Sequence, residues 1–275
     1  MTSREQLSSA AELLEQAGCP SPRVDAEWLL AHVLAVTRTD LAGNGARSLS
    51  PEQEQRFNEL VARRAEREPL AYILGEWGFR GLTLLVDARV LIPRPETESL
   101  VERCLELIAD IPEPRVLDIG VGSGAIALAI AHEHPGALVV ATDSSLDALA
   151  VAEENRSRAG LAVELVHGEL FAGQEGPLDL VVSNPPYVGS DEIDRLEPEV
   201  AIWEPREALV ACGATEAIAE GARKRLAPGG SLVLETGDGK AGEVAGLLER
   251  LGYEDVAIGE DLGGSERIVE GRKAH

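Results

Sequence analysis

The order of apolar and polar positions divides the chain into three stretches. Up to about residue 69, apolar residues recur at helical spacing. Leu7, Ala10, Leu14 and Ala17 make one such stripe, and Ser3 with Gln6 predicts a capping box at its start. Gly18 stops that helix and Pro20 confirms the break. Ser21-Pro22 restarts a helix carrying Trp28, Leu29, His32, Val33 and Val36. Ser50-Pro51 with Gln53 starts another, carrying Phe57, Leu60 and Val61 and ending in a charged run before Pro69. Residues 1–69 therefore predict a small helical bundle, in which His32 is a partly buried helix residue.

The period then changes. Leu82, Leu84 and Val86 alternate, as do Val90 and Ile92, with Gly75, Gly78 and Gly81 between them, so residues 70–92 predict a linking β-hairpin. Pro93-Arg94-Pro95 is extended, and Glu96-Thr97-Glu98 begins a helix with Leu100, Val101, Cys104, Leu105 and Ile108. From Pro114 onward strands and helices alternate, as in a parallel sheet covered on both faces. The predicted strands are 115–119, 138–142, 162–167, 178–183, 231–236, 254–258 and 267–270. The helices between them are 124–133, 145–159, 215–226 and 241–251. The last two strands lack a helix between them and predict an antiparallel hairpin at one edge.

Composition narrows the class. With 275 residues, 44% of them hydrophobic, the chain can bury a large core. The net charge of −23 repels phosphate backbones and disfavours a nucleic-acid partner. Cys19, Cys104 and Cys212 are far apart, which indicates neither a disulfide framework nor a metal site. The first residues are polar, without the apolar core of a signal peptide, and no apolar run reaches membrane-spanning length. A cytoplasmic, soluble monomer is expected.

Two strand ends carry candidate chemistry. The run Ser183-Asn184-Pro185-Pro186-Tyr187-Val188 follows an apolar strand. Two prolines end the strand and hold Asn184 and Pro185 stiffly. The Asn184 side-chain oxygen and the Pro185 carbonyl then form a pair of acceptors matching the two donors of a planar –NH2 group, with Tyr187 offering a flat face. An ordinary Asn-Pro turn beside a core tyrosine would use the same residues. The other end is Asp118-Ile119-Gly120-Val121-Gly122-Ser123-Gly124, where glycines let backbone approach a ligand. Asp143 closes the next strand, where its carboxylate can accept ribose hydroxyls. His167-Gly168-Glu169-Leu170-Phe171 closes the third, placed to flank an adenine. Gly120, Gly122 and Ala125 also satisfy a loose dinucleotide fingerprint, so NAD stays open. Asp118, which could hold the amino-acid end, and the Asn-Pro-Pro-Tyr element favour S-adenosylmethionine.

With both ends in view, the chain resembles a class I methyltransferase, and more narrowly the HemK/PrmC family, which methylates the glutamine amide of the Gly-Gly-Gln motif in peptide chain release factors. The resemblance rests on Glu68-Pro69-Leu70-Ala71-Tyr72-Ile73-Leu74-Gly75, Leu91-Ile92-Pro93-Arg94-Pro95-Glu96-Thr97-Glu98, the glycine loop, Asn184 to Tyr187, and Glu204-Pro205-Arg206-Glu207-Ala208-Leu209. It implies a seven-stranded Rossmann-like α/β sheet whose last strand is antiparallel. Residues 1–69 become a substrate-docking domain, 70–92 the hairpin linker and 93–275 the methyltransferase domain. The implied cofactor contacts lie in the loop from Gly120 to Gly124 and at Asp143, Glu169, Leu170 and Asn184. Asn184, Pro185, Pro186 and Tyr187 are the implied substrate contacts, and Asn184, Pro185 and Tyr187 the catalytic set. The product would be S-adenosylhomocysteine. Glu169 stands where the family usually has aspartate, and the stretches 211–216 and 235–240 depart from its usual form. A ribosomal-protein glutamine methyltransferase, or an RNA or DNA amino-methyltransferase, would use the same chemistry.

Overall fold

The computed structural model describes residues 2–43 and 48–275. Helices α1 (Ser3–Gln16), α2 (Pro22–Leu34), α3 (Arg38–Gly43), α4 (Pro51–Ala65) and α5 (Leu70–Leu74) precede the short strands β1 (Glu76–Phe79) and β2 (Leu82–Leu85). Next come α6 (Pro95–Ile108), β3 (Arg115–Ile119), α7 (Ala125–Glu133), β4 (Leu138–Asp143), α8 (Leu146–Ala159), β5 (Val163–His167) and β6 (Leu178–Ser183). The chain finishes with α9 (Pro198–Ala201), α10 (Ala214–Arg225), β7 (Leu226–Glu235), α11 (Ala241–Arg250), β8 (Glu254–Glu260) and β9 (Glu266–Arg272). Among the described residues no helix is long and apolar enough to cross a membrane.

The chain divides into two units, Met1–Glu76 with Leu196–Trp203, and Trp77–Arg195 with Glu204–His275. In the first, Leu14, Leu29, Leu30, Phe57 and Leu60 are fully buried where α1, α2 and α4 meet. The start of α4 is set by a capping box: Ser50 accepts from the Gln53 N–H while the Gln53 side chain accepts from the Ser50 N–H. The α1 box lies one residue earlier than expected, on Thr2 and Glu5. Both pairs have the right spacing, but Glu5 is charged and favours the helix N-terminus, while Ser3 and Gln6 turn inward. Buried Arg64 donates to Asp25 at 2.8 Å and to Glu199 at 2.7 Å, and Arg67 also donates to Glu199. These pairs fasten the segment Leu196–Trp203 into a unit otherwise made of the N-terminal helices.

The second unit is built on a seven-stranded sheet in the order β5-β4-β3-β6-β7-β9-β8. Strands β3 to β7 pair in parallel; β9 runs antiparallel between β7 and β8. Alternation along each strand feeds two cores. Val116, Leu180 and Val182 face one core with Leu100 and Cys104 of α6, while Leu117, Val181 and Leu232 face the other with Ile218 of α10 and Leu248 of α11. The β1–β2 hairpin adds Phe79 and Leu84 to the first core.

Local differences from the expectation have physical causes. Residues 70–74, assigned to the hairpin, are helix α5: an unbroken apolar run reads equally as strand or helix, and Pro69 at its cap starts a turn of helix. Val90 and Ile92 are buried without belonging to a strand. β7 begins at Leu226 rather than 231, because Pro228-Gly229-Gly230 is absorbed where the register shifts.

Candidate active site

The site residues sit at the carboxyl ends of neighbouring parallel strands, where open α/β sheets place their ligands. Register brings them together. Ile119 pairs with Thr142 on one side and Ser183 on the other, so the glycine loop emerges between Asp143 and Asn184. Asp143 in turn pairs with His167, which leads to Glu169 and Leu170. The Ser183 hydroxyl donates to the Ile119 carbonyl at 2.7 Å and ties the two central ends.

Four of the loop's amides are engaged, mostly by the end of β4. The Gly120 and Val121 N–H groups both donate to the Thr142 carbonyl, at 2.9 and 3.0 Å, and Gly124 donates to Val121 at 2.8 Å. The Gly122 N–H donates to the Asp143 carboxylate at 3.0 Å, whose other oxygen accepts from Ser145. A pyrophosphate needs such amides open. The Gly120, Val121 and Gly122 amides are thus engaged, and this part of the loop offers a ligand backbone surface rather than free donors. Gly120 is exposed with φ +81°, a left-handed conformation that glycine adopts freely. Asp143 is half-buried and each oxygen keeps a lone pair for a hydroxyl. Glu169 is exposed and Leu170 half-buried, the latter held where its carbonyl accepts the Thr142 hydroxyl at 2.7 Å.

Asp118 does not face this surface. Its side chain has no exposed area, and one oxygen accepts from the Ala127 N–H at 3.1 Å. Burial raises its pKa to about 8, with the nearby Asp143 charge adding to the rise and the Ala127 bond opposing it. It braces the first turn of α7 from behind, and its other oxygen has no partner among the described residues. Val121 and Ser123 are likewise buried, leaving Gly120 and Gly122 as the loop's open face. The Ser123 carbonyl accepts from buried Asn155, which also bonds both backbone groups of Leu85 and so ties β2 to the loop.

Asn184 is half-buried and Pro185 buried. The Asn184 Nδ2 lies 3.4 Å from the Thr97 hydroxyl, which donates to Glu235 at 2.7 Å. Among the described residues none donates to the Asn184 Oδ1 or the Pro185 carbonyl. Tyr187 is half-buried with its ring against Gly237, and the Lys240 ammonium donates to the Tyr187 carbonyl at 2.6 Å. A groove of about 280 Å³ opens here, lined by Pro186, Tyr187, Glu235, Thr236, Gly237 and Lys240 among others. Burial raises the Glu235 pKa to about 6 and also raises that of Tyr187.

Thr97, Glu235 and Lys240 were absent from the sequence-derived site. A signal existed for Glu235, an acidic residue ending an apolar strand just as Asn184 follows one, and the register Ser183 to Leu234 sets the two side by side. Thr97 belongs to the Ile92–Glu98 motif, whose Arg94 pairs at 2.5 Å with buried Glu204 of the Glu204–Leu209 motif. Two stretches distant in sequence are thus joined.

Residues 5–75 match the PrmC N-terminal domain and residues 97–251 the methyltransferase small domain. The release factor glutamine methyltransferase of Deinococcus radiodurans is 41% identical over 280 residues, spanning 100% of this chain and 99% of its own. That of Cereibacter sphaeroides is also 41% identical, spanning 99% of both chains. A methyltransferase structure from Pyrococcus furiosus shares the fold, with a TM-score of 0.53 at 22% identity over 71% of this chain and 90% of its own. Matched in both parts and aligned end to end with these relatives, the chain belongs to the release factor glutamine methyltransferase family.

Proposed function

We propose that this enzyme transfers a methyl group from S-adenosylmethionine to the side-chain amide nitrogen of the glutamine in the Gly-Gly-Gln motif of peptide chain release factors. The observation that carries the reading is the Asn184 carboxamide at the strand end beside the glycine loop, its NH2 turned to Thr97 and its oxygen without a donor among the described residues. Asp143 would hold the ribose, Glu169 and Leu170 would border the adenine, and the Gly120–Gly122 backbone would lie against the rest of the donor. When bound, the cofactor supplies a methyl group made electrophilic by its sulfonium.

The chain's own part is positioning. An amide nitrogen is a poor nucleophile because its lone pair is delocalised into the carbonyl. Asn184 and Pro185 accept both of its N–H bonds, fix its plane and stabilise the positive charge that grows on nitrogen as the bond forms. The nitrogen becomes acidic on methylation, so its proton leaves without a strong base. Tyr187, its ring set by Gly237, packs on the amide plane. The N-terminal helices would grip the protein substrate, and the β1–β2 hairpin would link them to the catalytic unit. The charge of −23 suits a protein partner better than a nucleic acid, and the reaction belongs in the cytoplasm with its substrate, the enzyme acting as a monomer.

Mass spectrometry of a release factor incubated with the enzyme and S-adenosylmethionine tests this. One added methyl on the motif glutamine is expected. An unmodified release factor, with a ribosomal protein or nucleic acid methylated instead, would overturn it.

A further inference from the structure

We propose that Thr97 and Glu235 are positioning residues that fix which edge of the Asn184 amide faces the acceptor nitrogen. The proposal rests on the assignment of Asn184 as the residue holding the glutamine amide. An asparagine side chain presents an oxygen at one corner and an NH2 of nearly the same shape at the other. Only the oxygen edge can accept an N–H; the reversed amide would set donors against donors.

The structure makes the choice from behind the site. The Thr97 hydroxyl has one proton, and it goes to Glu235 at 2.7 Å. Toward Asn184 the same hydroxyl can then only accept, and the Asn184 Nδ2 stands 3.4 Å away. Glu235 as a carboxylate also accepts only. Turning the amide over would bring its oxygen against the lone pairs of both groups. The direction of donation therefore runs from Asn184 to Thr97 to Glu235, and it leaves Oδ1 facing forward. Thr97 is 3% exposed and Glu235 2%, so water does not compete for these bonds and each is strengthened by its low-polarity surroundings. The three residues come from the first turn of α6 and the ends of β6 and β7, so the arrangement exists only in the folded unit.

The test uses the full-length enzyme with a release factor, separating kcat from KM and measuring S-adenosylmethionine binding by calorimetry. Thr97→Val keeps the shape and deletes the hydroxyl. It is expected to lower kcat about 10- to 100-fold, because the amide loses its preferred edge. KM for the release factor and cofactor affinity should change less than about threefold, since neither contact is removed. Thr97→Ser should recover most of kcat, and Thr97→Val should add little in an Asn184→Ala background. Glu235→Gln leaves Thr97 in place and should lower kcat in the same way, which carries the test if Thr97→Val fails to fold. Wild-type kcat in Thr97→Val with an inactive Asn184→Ala overturns the proposal and leaves Asn184 in its role. Equal losses in Thr97→Ser and Thr97→Val mean that Thr97 acts by packing, and also overturn it. Wild-type turnover in Asn184→Ala removes the assignment beneath it.

Discussion

The Thr97 hydroxyl donates to the Glu235 carboxylate at 2.7 Å across 138 residues of sequence. Burial disfavours the charge on Glu235 and is the main reason its pKa rises to about 6; the Thr97 hydroxyl, Arg267 on β9 and the Asn184 amide oppose the rise, and Glu96 on α6 adds to it. Below that pH the carboxyl gains a proton, can donate to Thr97, and the hydroxyl is released to turn toward Asn184. Turnover is expected to fall as pH drops through about 6, read as a kcat profile on a release factor. Stability moves the other way. A carboxyl whose folded pKa lies above its unfolded value favours the native state at low pH, and loses that contribution as pH rises through the folded value. A flat kcat profile from about pH 5 to 8 would count against the Glu235 part of this account.

Asp118→Asn separates support from contact. The carboxyl, raised to about 8 and fully buried, contributes stability at low pH that is lost as pH rises through that value. The amide keeps an acceptor for the Ala127 N–H and carries no charge. At about pH 9 the variant should melt above the wild type, by roughly 2–4 °C for each kcal/mol gained, with most of the gap still present at neutral pH and closing only as pH falls toward the ordinary carboxylate value of 3.8. Calorimetry should find S-adenosylmethionine affinity nearly unchanged. A loss beyond about tenfold would mean that Asp118 reaches the cofactor after all.

Gly237 sets the Tyr187 ring. A Cβ built there meets the ring at 3.0 Å, and Lys240 holds the Tyr187 carbonyl, so the ring cannot yield without moving the Asn184–Tyr187 turn. Gly237→Ala should lower kcat about tenfold or more while leaving cofactor binding near wild type. Unchanged turnover would show that the ring's placement does not matter to the reaction.

In the N-terminal unit, Arg64→Ala leaves Asp25 buried without its partner and frees Glu199 from one of two arginines. The loss expected for breaking such a buried pair is about 3–5 kcal/mol, measurable as a shift in the denaturant midpoint. A change under about 1 kcal/mol would place these contacts with ordinary surface pairs.

The periodicity of the chain was enough to set its helices and strands, because whether a segment is amphipathic at a period of 3.6 or 2 is a local property. The same holds for the glycine loop and the Asn-Pro-Pro-Tyr turn, whose chemistry lies in consecutive residues. Helix α5 escaped this reading because a short apolar run has no period to read, and the α1 cap shifted because two candidate pairs one residue apart look alike.

What only the tertiary structure decided is which residues stand behind those motifs. Asp118 reads from its place before the glycines as a candidate ligand, and only the packing of α7 against β3 shows that it is buried and bonded to the Ala127 N–H. Thr97 and Glu235 carry no mark of a shared role until parallel pairing sets the end of β7 beside that of β6 and α6 lays its first turn over both. Strand register and helix docking arise from contacts between residues far apart in the chain, and those contacts settle which hydrogen bonds remain open at the surface.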